Sequence, residues 1–343
     1  MIRLPAFEYL TPRTVGDAVK SLADRGPDAM LVAGGTDLFP NMKRRQFEPK
    51  VLVGLRGIRE LRGVRASNGG LTIGAGTTLT QVATHAEVAR RYPALATAAG
   101  VVSSPQLRNM GTLGGNVCVD TRCNYYNQTF EWRQAIGFCM KKDGDICLVA
   151  PGSPRCWAVS SSDTAPVLWA LGATARLAGP AGERTLPVAA LFRDDGIEYL
   201  SKRPDEILTD ISLPDADGWS SVYLKLRRRG SFDFPVLGVA AAVRRDNDVV
   251  REARIVLGAV ASQPREATAA AAALVGAPLT SEAITRAAEL AAGPSKPLDN
   301  TDFTHPYRKK VTRVYVARAL ARLAGLDTGP SSYDAGGSDA VAR

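Results

Sequence analysis

The chain has no Gly-Lys-Ser or Gly-Lys-Thr tripeptide and no G-x-G-x-x-G stretch. The first absence excludes a P-loop, and the second a Rossmann phosphate fingerprint. Gly74-Ala75-Gly76 comes nearest, but Thr77-Thr78-Leu79 follows where a third glycine would stand. No apolar run reaches the roughly 18 residues that a membrane span needs. The most alanine-rich segment, 267–275, is short and flanked by Arg265, Glu266 and Pro278. The N-terminal Met1-Ile2-Arg3-Leu4-Pro5-Ala6-Phe7-Glu8 shows no apolar run ending in a small-residue cleavage site, so a cytoplasmic protein is expected. Histidine occurs twice, at His85 and His305, both read as surface or capping residues.

Cysteine is absent outside residues 118–156, yet five fall inside: Cys118, Cys123, Cys139, Cys147 and Cys156. In a reducing compartment such a cluster points to a metal or redox site rather than to disulfides. The paired C-x₂₋₄-C spacing of structural zinc sites is missing, and so is the ferredoxin C-x₂-C-x₂-C run. Three readings of the residues stay open: thiolates wrapped around one iron–sulfur cluster, a zinc site, or inert buried cysteines. Tyr125, Tyr126, Phe130, Trp132, Phe138 and Trp157 could pack around a cofactor. A nucleic-acid-binding zinc module is disfavoured, although the net charge is +9. The cysteine region holds Arg122, Arg133, Lys141, Lys142 and Arg155 against Asp120, Glu131, Asp143 and Asp145, which is no basic stripe for phosphates.

What is present is an ordinary globular composition, with 45% hydrophobic and 22% charged residues over 343 positions. Val15, Ala18, Val19 and Leu22 mark one stripe of a helix over 14–25, with Thr14 as N-cap. Ala29–Val32, Val51–Leu55 and 70–76 read as strands, and Leu79–Arg90 and Pro93–Ala99 as helices. A helix through Leu171 follows Ser161–Pro166, and 173–178 and 206–213 read as further strands. After 215–219 the texture changes. Tyr223–Arg229, Val236–Arg245 and Val249–Val260 read as antiparallel strands, the last two joined by a tight turn at Asp246-Asn247-Asp248. Helices are predicted at 264–275, 281–292 and 306–324. The expected organisation is an α/β portion at 1–56 and 57–215, then a smaller α+β domain at 219–325 and a disordered tail at 326–343.

Three glycine-rich turns sit at expected strand ends: Ala33-Gly34-Gly35-Thr36-Asp37, Gly74-Ala75-Gly76-Thr77, and Gly111-Thr112-Leu113-Gly114-Gly115-Asn116. Glycine lets backbone N–H groups converge on an anion and lets a ligand approach without a Cβ in the way. Any one of these could be a plain connecting turn. Together they point to a dinucleotide held in a cradle of another kind.

The ordered set LVAGGTDL (Leu31–Leu38), GTLGGN (Gly111–Asn116), Ser162-Asp163-Thr164-Ala165-Pro166, DEILTDISLP (Asp205–Pro214), Tyr223-Leu224-Lys225 and Asp233-Phe234-Pro235 resembles the FAD-binding medium subunits of molybdenum hydroxylases. That is the xanthine dehydrogenase and carbon monoxide dehydrogenase family. The likeness runs over residues 3–325. It implies an α+β chain: a two-part, PCMH-like FAD-binding domain, then a C-terminal domain of antiparallel sheet with helices. FAD would be held by Leu31, Val32, Ala33, Gly34, Gly35, Thr36, Asp37 and Leu38 and by Gly111, Thr112, Gly114, Gly115 and Asn116. Asp163 would hydrogen-bond the flavin, and Leu208 and Lys225 would lie near its isoalloxazine. On residues alone, a solvated strand lysine is the alternative for Lys225.

The sequence departs from the family pattern at one place. In most such subunits the GGN turn runs almost directly into the Ser-Asp segment, whereas here residues 117–160 intervene and contain every cysteine. This insertion, about 119–158, resembles that of the β subunits in the 4-hydroxybenzoyl-CoA reductase branch. The resemblance implies a [4Fe-4S] cluster on Cys123, Cys139, Cys147 and Cys156, with Cys118 a bystander. It further implies electron flow from ferredoxin through the cluster to FAD, then to a [2Fe-2S] small subunit and a molybdenum-cofactor large subunit in a dimer of heterotrimers. The overall reaction would be reductive dehydroxylation to benzoyl-CoA in aromatic compound degradation. An oxidative hydroxylase subunit passing electrons to NAD or a quinone is the alternative. Either way no general acid, base or nucleophile is expected in this chain.

Overall fold

The structure, a computed structural model, describes residues 3–326. The chain opens with a small parallel sheet of β1 (Glu8–Leu10), β3 (Val51–Gly54) and β2 (Ala29–Val32), in that spatial order. Helix α1 (Val15–Arg25) covers it. The Thr14 hydroxyl accepts the Asp17 N–H at 3.0 Å, and Ala18, Val19 and Leu22 are the buried stripe. Gly26, at φ 53°, turns its N–H back to the Leu22 carbonyl and ends the helix. Helix α2 (Leu38–Lys43) follows the first glycine loop.

The second sheet is antiparallel, in the order β4 (Val64–Ser67), β5 (Gly70–Gly74), β8 (Ile207–Leu213), β6 (Thr174–Gly179), β7 (Gly182–Pro187). Asn68 and Gly69, both at positive φ, make the two-residue turn that joins β4 to β5. Strand β4 was not expected, and the predicted strand at 70–76 stops at Gly74. Strands β1 and β7 are likewise additions.

Helices α3 (Leu79–Thr84), α4 (Ala86–Arg91), α5 (Pro93–Gly100), α6 (Pro105–Arg108) and α7 (Leu113–Val117) fill the chain up to the cysteine region. The single helix predicted over Leu79–Arg90 is two, because His85 adopts an extended ψ of 121° and starts α4 afresh. Inside the insertion lies α8 (Phe130–Ala135), and after it α9 (Thr164–Ala170).

The third sheet runs β12 (Arg265–Glu266), β11 (Val249–Gly258), β10 (Leu237–Asp246), β9 (Trp219–Leu226), all antiparallel. Its two faces are both buried, and strand alternation decides which residue goes where. Val239, Ala241 and Val243 pack towards α10 (Thr268–Ala272), α11 (Ser281–Ala291) and α12 (His305–Leu323). Ala240 and Ala242 join the core of the second sheet with Ile73, Leu95, Leu168 and Ile211. The helix expected over 264–275 shrinks to α10 because Arg265 and Glu266 pair with Leu257 and Val256. The expected disordered tail lies, from residue 327, outside the described residues. Among the described residues no helix is long and apolar enough to cross a membrane.

The insertion is an excursion clasped at its base. Arg122 donates its N–H to the Val159 carbonyl at 2.8 Å, and Val159 returns the bond at 2.7 Å. Chain entry and exit are therefore neighbours, so the segment between them is accommodated without prying apart the elements on either side.

Candidate flavin cavity and thiol cluster

The first and third glycine loops meet at one wall of a cavity of about 380 Å³. Gly34 is required by this meeting: a Cβ there would collide with the Met110 carbonyl. Gly35 stands at φ 70°, with Phe39 against its α-carbon face. On the other loop, Thr112 caps α7 by accepting the Gly115 N–H at 3.1 Å. A Cβ on Gly114 would come within 2.6 Å of the Ala75 Cβ. The second glycine turn thus supports the third one from behind. Meanwhile the N–H groups of Gly34, Gly35 and Thr36 reach no acceptor among the described residues. Unpaired amides on a cavity wall form the kind of nest that takes a phosphate oxygen.

A Gly34→Ala substitution should therefore drive the loops apart and weaken flavin binding at least about tenfold, or ~1.4 kcal/mol. A Gly152→Ala control, where a Cβ meets nothing within 4 Å, should leave binding unchanged. Flavin fluorescence titration reads both.

Of the residues expected at the flavin, Ala33–Leu38, Gly111, Thr112, Gly115, Asn116 and Asp163 line the cavity. Leu31, Val32 and Gly114, also expected there, do not line it: Leu31 and Val32 pack in the small cores around the first sheet, and Gly114 is buried against Ala75. Leu208 is buried in the second-sheet core, and Lys225 stands behind Asp163. Strand alternation on β9 brings Tyr223 and Lys225 to the same side. Tyr223 donates its hydroxyl to Asp163 Oδ1 at 2.8 Å, and Lys225 Nζ donates to Oδ2 at 2.9 Å. Lys225 is thus no solvated strand lysine: its side chain is 4% exposed, and its second partner is the Val101 carbonyl. Burial pushes the Asp163 carboxyl up and the Lys225 ammonium down, and their mutual attraction opposes both shifts.

The sequence reading missed much of the far wall. Asp120 and Arg122 reach the cavity from the start of the insertion, and Tyr199, Phe232 and Phe234 complete it. Asp120 accepts from Lys141 Nζ at 2.8 Å in a pair whose side chains are 7% and 6% exposed. Lys141 also donates to Thr121 Oγ1 at 2.8 Å and to the Gly196 carbonyl at 2.6 Å, and sits 4.7 Å over the Tyr126 ring. It comes from the hairpin between Cys139 and Cys147, so one buried ion pair joins the cavity wall to the thiol region.

All five cysteines are free thiols. Cys123, Cys139 and Cys156 share an apolar cluster with Tyr126 and Ala158. Burial pushes the Cys123 thiol up to about 12, and the neighbouring sulfurs of Cys139 and Cys156 add to it. Cys156 is raised by burial to about 11, with Cys147 acting on it in turn. These four are therefore electrostatic neighbours. Cys118 belongs elsewhere: it lines the cavity beside Tyr199 and packs on the second-sheet core. Gly144 and Gly196 are steric necessities of this region. A Cβ on the first would meet the Cys139 backbone at 2.9 Å, and one on the second the Cys156 sulfur at 2.6 Å. Among the described residues, no three His, Cys, Asp or Glu side chains converge closely enough to hold a single metal ion.

Comparison with known proteins places this geometry. A profile described as the FAD binding domain in molybdopterin dehydrogenase matches residues 5–216. A second, the CO dehydrogenase flavoprotein C-terminal domain, matches residues 221–323. The chain belongs to the FAD-binding subunits of the molybdenum hydroxylase family, the family of carbon monoxide dehydrogenase medium chains and xanthine dehydrogenase FAD-binding subunits.

Among its relatives is the carbon monoxide dehydrogenase medium chain of Hydrogenophaga pseudoflava, 31% identical over 92% of this chain and 96% of that protein. The aldehyde oxidoreductase FAD-binding subunit of Escherichia coli is 33% identical over 76% and 83%. The solved carbon monoxide dehydrogenase of Hydrogenophaga pseudoflava superposes with a TM-score of 0.77 over 93% of this chain and 97% of that one, at 31% identity. The quinoline 2-oxidoreductase of Pseudomonas putida 86 gives 0.76 over 94% and 98%, at 25% identity. The fold is thus the expected one, an FAD-binding domain followed by a C-terminal domain of antiparallel sheet and helices.

Proposed function

We propose that this chain is the FAD-carrying electron-transfer subunit of a molybdenum hydroxylase-type complex, and that its insertion adds a [4Fe-4S] cluster held by Cys123, Cys139, Cys147 and Cys156. One observation carries the reading: the insertion's own residue Arg122 lines the cavity, and Cys123 is the next residue along the chain. A redox centre at the thiols would lie beside the flavin.

Supporting the cluster, all four thiols are buried and none is spent in a disulfide. Cys123, Cys139 and Cys156 share apolar surroundings, and an ammonium at Lys141 lies close enough to favour the Cys156 thiolate. Gly34–Asp37 and Gly111–Asn116 would hold the FAD diphosphate and ribityl chain. Asp163, braced by Lys225 and Tyr223, would bond the flavin's polar atoms. FAD supplies conversion between electron pairs and single electrons. The protein's part is to bind it, orient it and keep it close to the thiols.

The partners of this reading are a [2Fe-2S] small subunit and a molybdenum-cofactor large subunit, with ferredoxin as donor and a 4-hydroxybenzoyl-CoA-type substrate on the large subunit. A second reading is favoured by the names of the relatives, which include dehydrogenases of carbon monoxide, xanthine and nicotinate. There the chain would serve an oxidative hydroxylase and hand electrons outward to NAD or a quinone.

Flavin and iron analysis of protein expressed with cluster assembly machinery tests the cofactors. The expected result is a single FAD and about four iron atoms per chain. A yellow protein free of iron would remove the cluster and keep the flavin. Assaying the assembled complex with reduced ferredoxin or viologen against NAD then separates reductive from oxidative use.

A further inference from the structure

The acidic residues of the cavity wall are paired in two different ways. Asp120 is paired with Lys141, Asp163 with Lys225, and Asp233 with Arg229, and none of these three cations lines the cavity. Asp37 is the exception, since its partner Arg122 stands in the wall beside it. Arg122 is 12% exposed, stacks 4.2 Å over the Phe234 ring, and keeps a buried Nε with no acceptor.

Asp37 is less committed to this pair. Its side chain is 30% exposed, and Asn41 Nδ2 donates to its other oxygen at 3.1 Å. Losing Arg122 would leave it solvated and still hydrogen-bonded. Arg122 has no such reserve, and its backbone is fixed by the double bond to Val159.

We propose that Arg122 is a diphosphate-binding residue of the flavin cavity, exchanging Asp37 for the phosphate oxygens of FAD. The ligand class is a dinucleotide diphosphate, and the inference rests on the cavity being the flavin site. A doubly charged diphosphate out-competes a half-solvated carboxylate for a buried guanidinium, because Arg binds phosphate bidentately and Nε is the donor still lacking a partner. The residue belongs to the cysteine insertion, so the insertion contributes a side chain to flavin binding as well as the thiols.

The test compares FAD with riboflavin, which has the same ring system and no phosphate. Titration of flavin-free full-length chain by flavin fluorescence is run on the wild type, R122Q and R122K. The proposal expects R122Q to weaken FAD about ten- to a hundredfold, the worth of one charge-assisted contact, while riboflavin binding is unchanged. R122K should recover most of the loss. Equal weakening of both flavins would make Arg122 a packing residue and overturn the proposal, as would unchanged FAD affinity in R122Q. Failure of the wild type to bind either flavin would instead overturn the assignment of the cavity, and it is seen before any variant is tested.

Discussion

Cys139→Ser should bring the iron content from about four atoms per chain to near zero while the FAD content stays at its wild-type level. The two sites are separable because the glycine loops of the cavity wall make no hydrogen bond to the Cys139 hairpin, and the hairpin's link to that wall, Lys141 to Asp120, is untouched by the substitution. That hairpin is closed by its own backbone, with the Lys142 and Gly144 N–H groups donating to the Cys139 carbonyl at 2.9 and 3.1 Å. Serine fits the space of the thiol, so the fold survives and only the soft ligand is lost. Iron retained at the wild-type level would show that Cys139 is no ligand. Iron and flavin lost together would show that the insertion cannot stand without its cluster. Cys118→Ser is the matched control, expected to leave iron unchanged because that thiol lies with the flavin wall.

Lys141→Met should destabilise the protein by about 3–5 kcal/mol in urea unfolding, the cost of leaving a buried carboxylate without its counter-charge. Methionine fills the same stem, so the loss reports the ammonium alone, with its bonds to Asp120, Thr121 and the Gly196 carbonyl. The side chains of this pair are 6% and 7% exposed, which separates it from the surface pairs worth less than about 1 kcal/mol. Adding Asp120→Asn should restore part of the stability, because the double variant buries no unpaired charge. A single variant within about 1 kcal/mol of wild type would mean that water reaches Asp120.

How much of this could be read in the residues follows from where each interaction lies in the chain. Helix α1 was legible because Thr14 and the Ala18, Val19, Leu22 stripe are local. The antiparallel run β9–β11 was legible because alternation and an Asp-Asn-Asp turn are local too. Strand β4 had a local signal in Asn68-Gly69 that was overlooked. Strand β1 had none: three residues paired in parallel with Val51–Val53 are held by a partner far along the chain. The same distinction governs the site. Glycine-rich loops announce themselves within six residues, so both loops that meet at the cavity wall were legible. Arg122 and Lys141 gain their meaning from Asp37, 85 residues upstream of Arg122, and from Asp120, 21 residues upstream of Lys141. Phe232 and Phe234 matter only because the loop carrying them is tied to Ser103, through the Phe232 N–H at 3.0 Å.

The clasp between Arg122 and Val159 has a consequence for how such a chain can change over time. A segment that leaves and returns at paired residues places little demand on its own length, although here Arg133 bonding the Arg44 and Arg45 carbonyls and Asn124 bonding the Asn300 carbonyl also tie it to its host. The thiol half and the flavin half are to that extent free to drift apart in sequence. Arg122, like the Lys141–Asp120 pair, is a point where that freedom stops: its backbone closes the insertion and its side chain stands in the cavity wall, so a change there is felt by both.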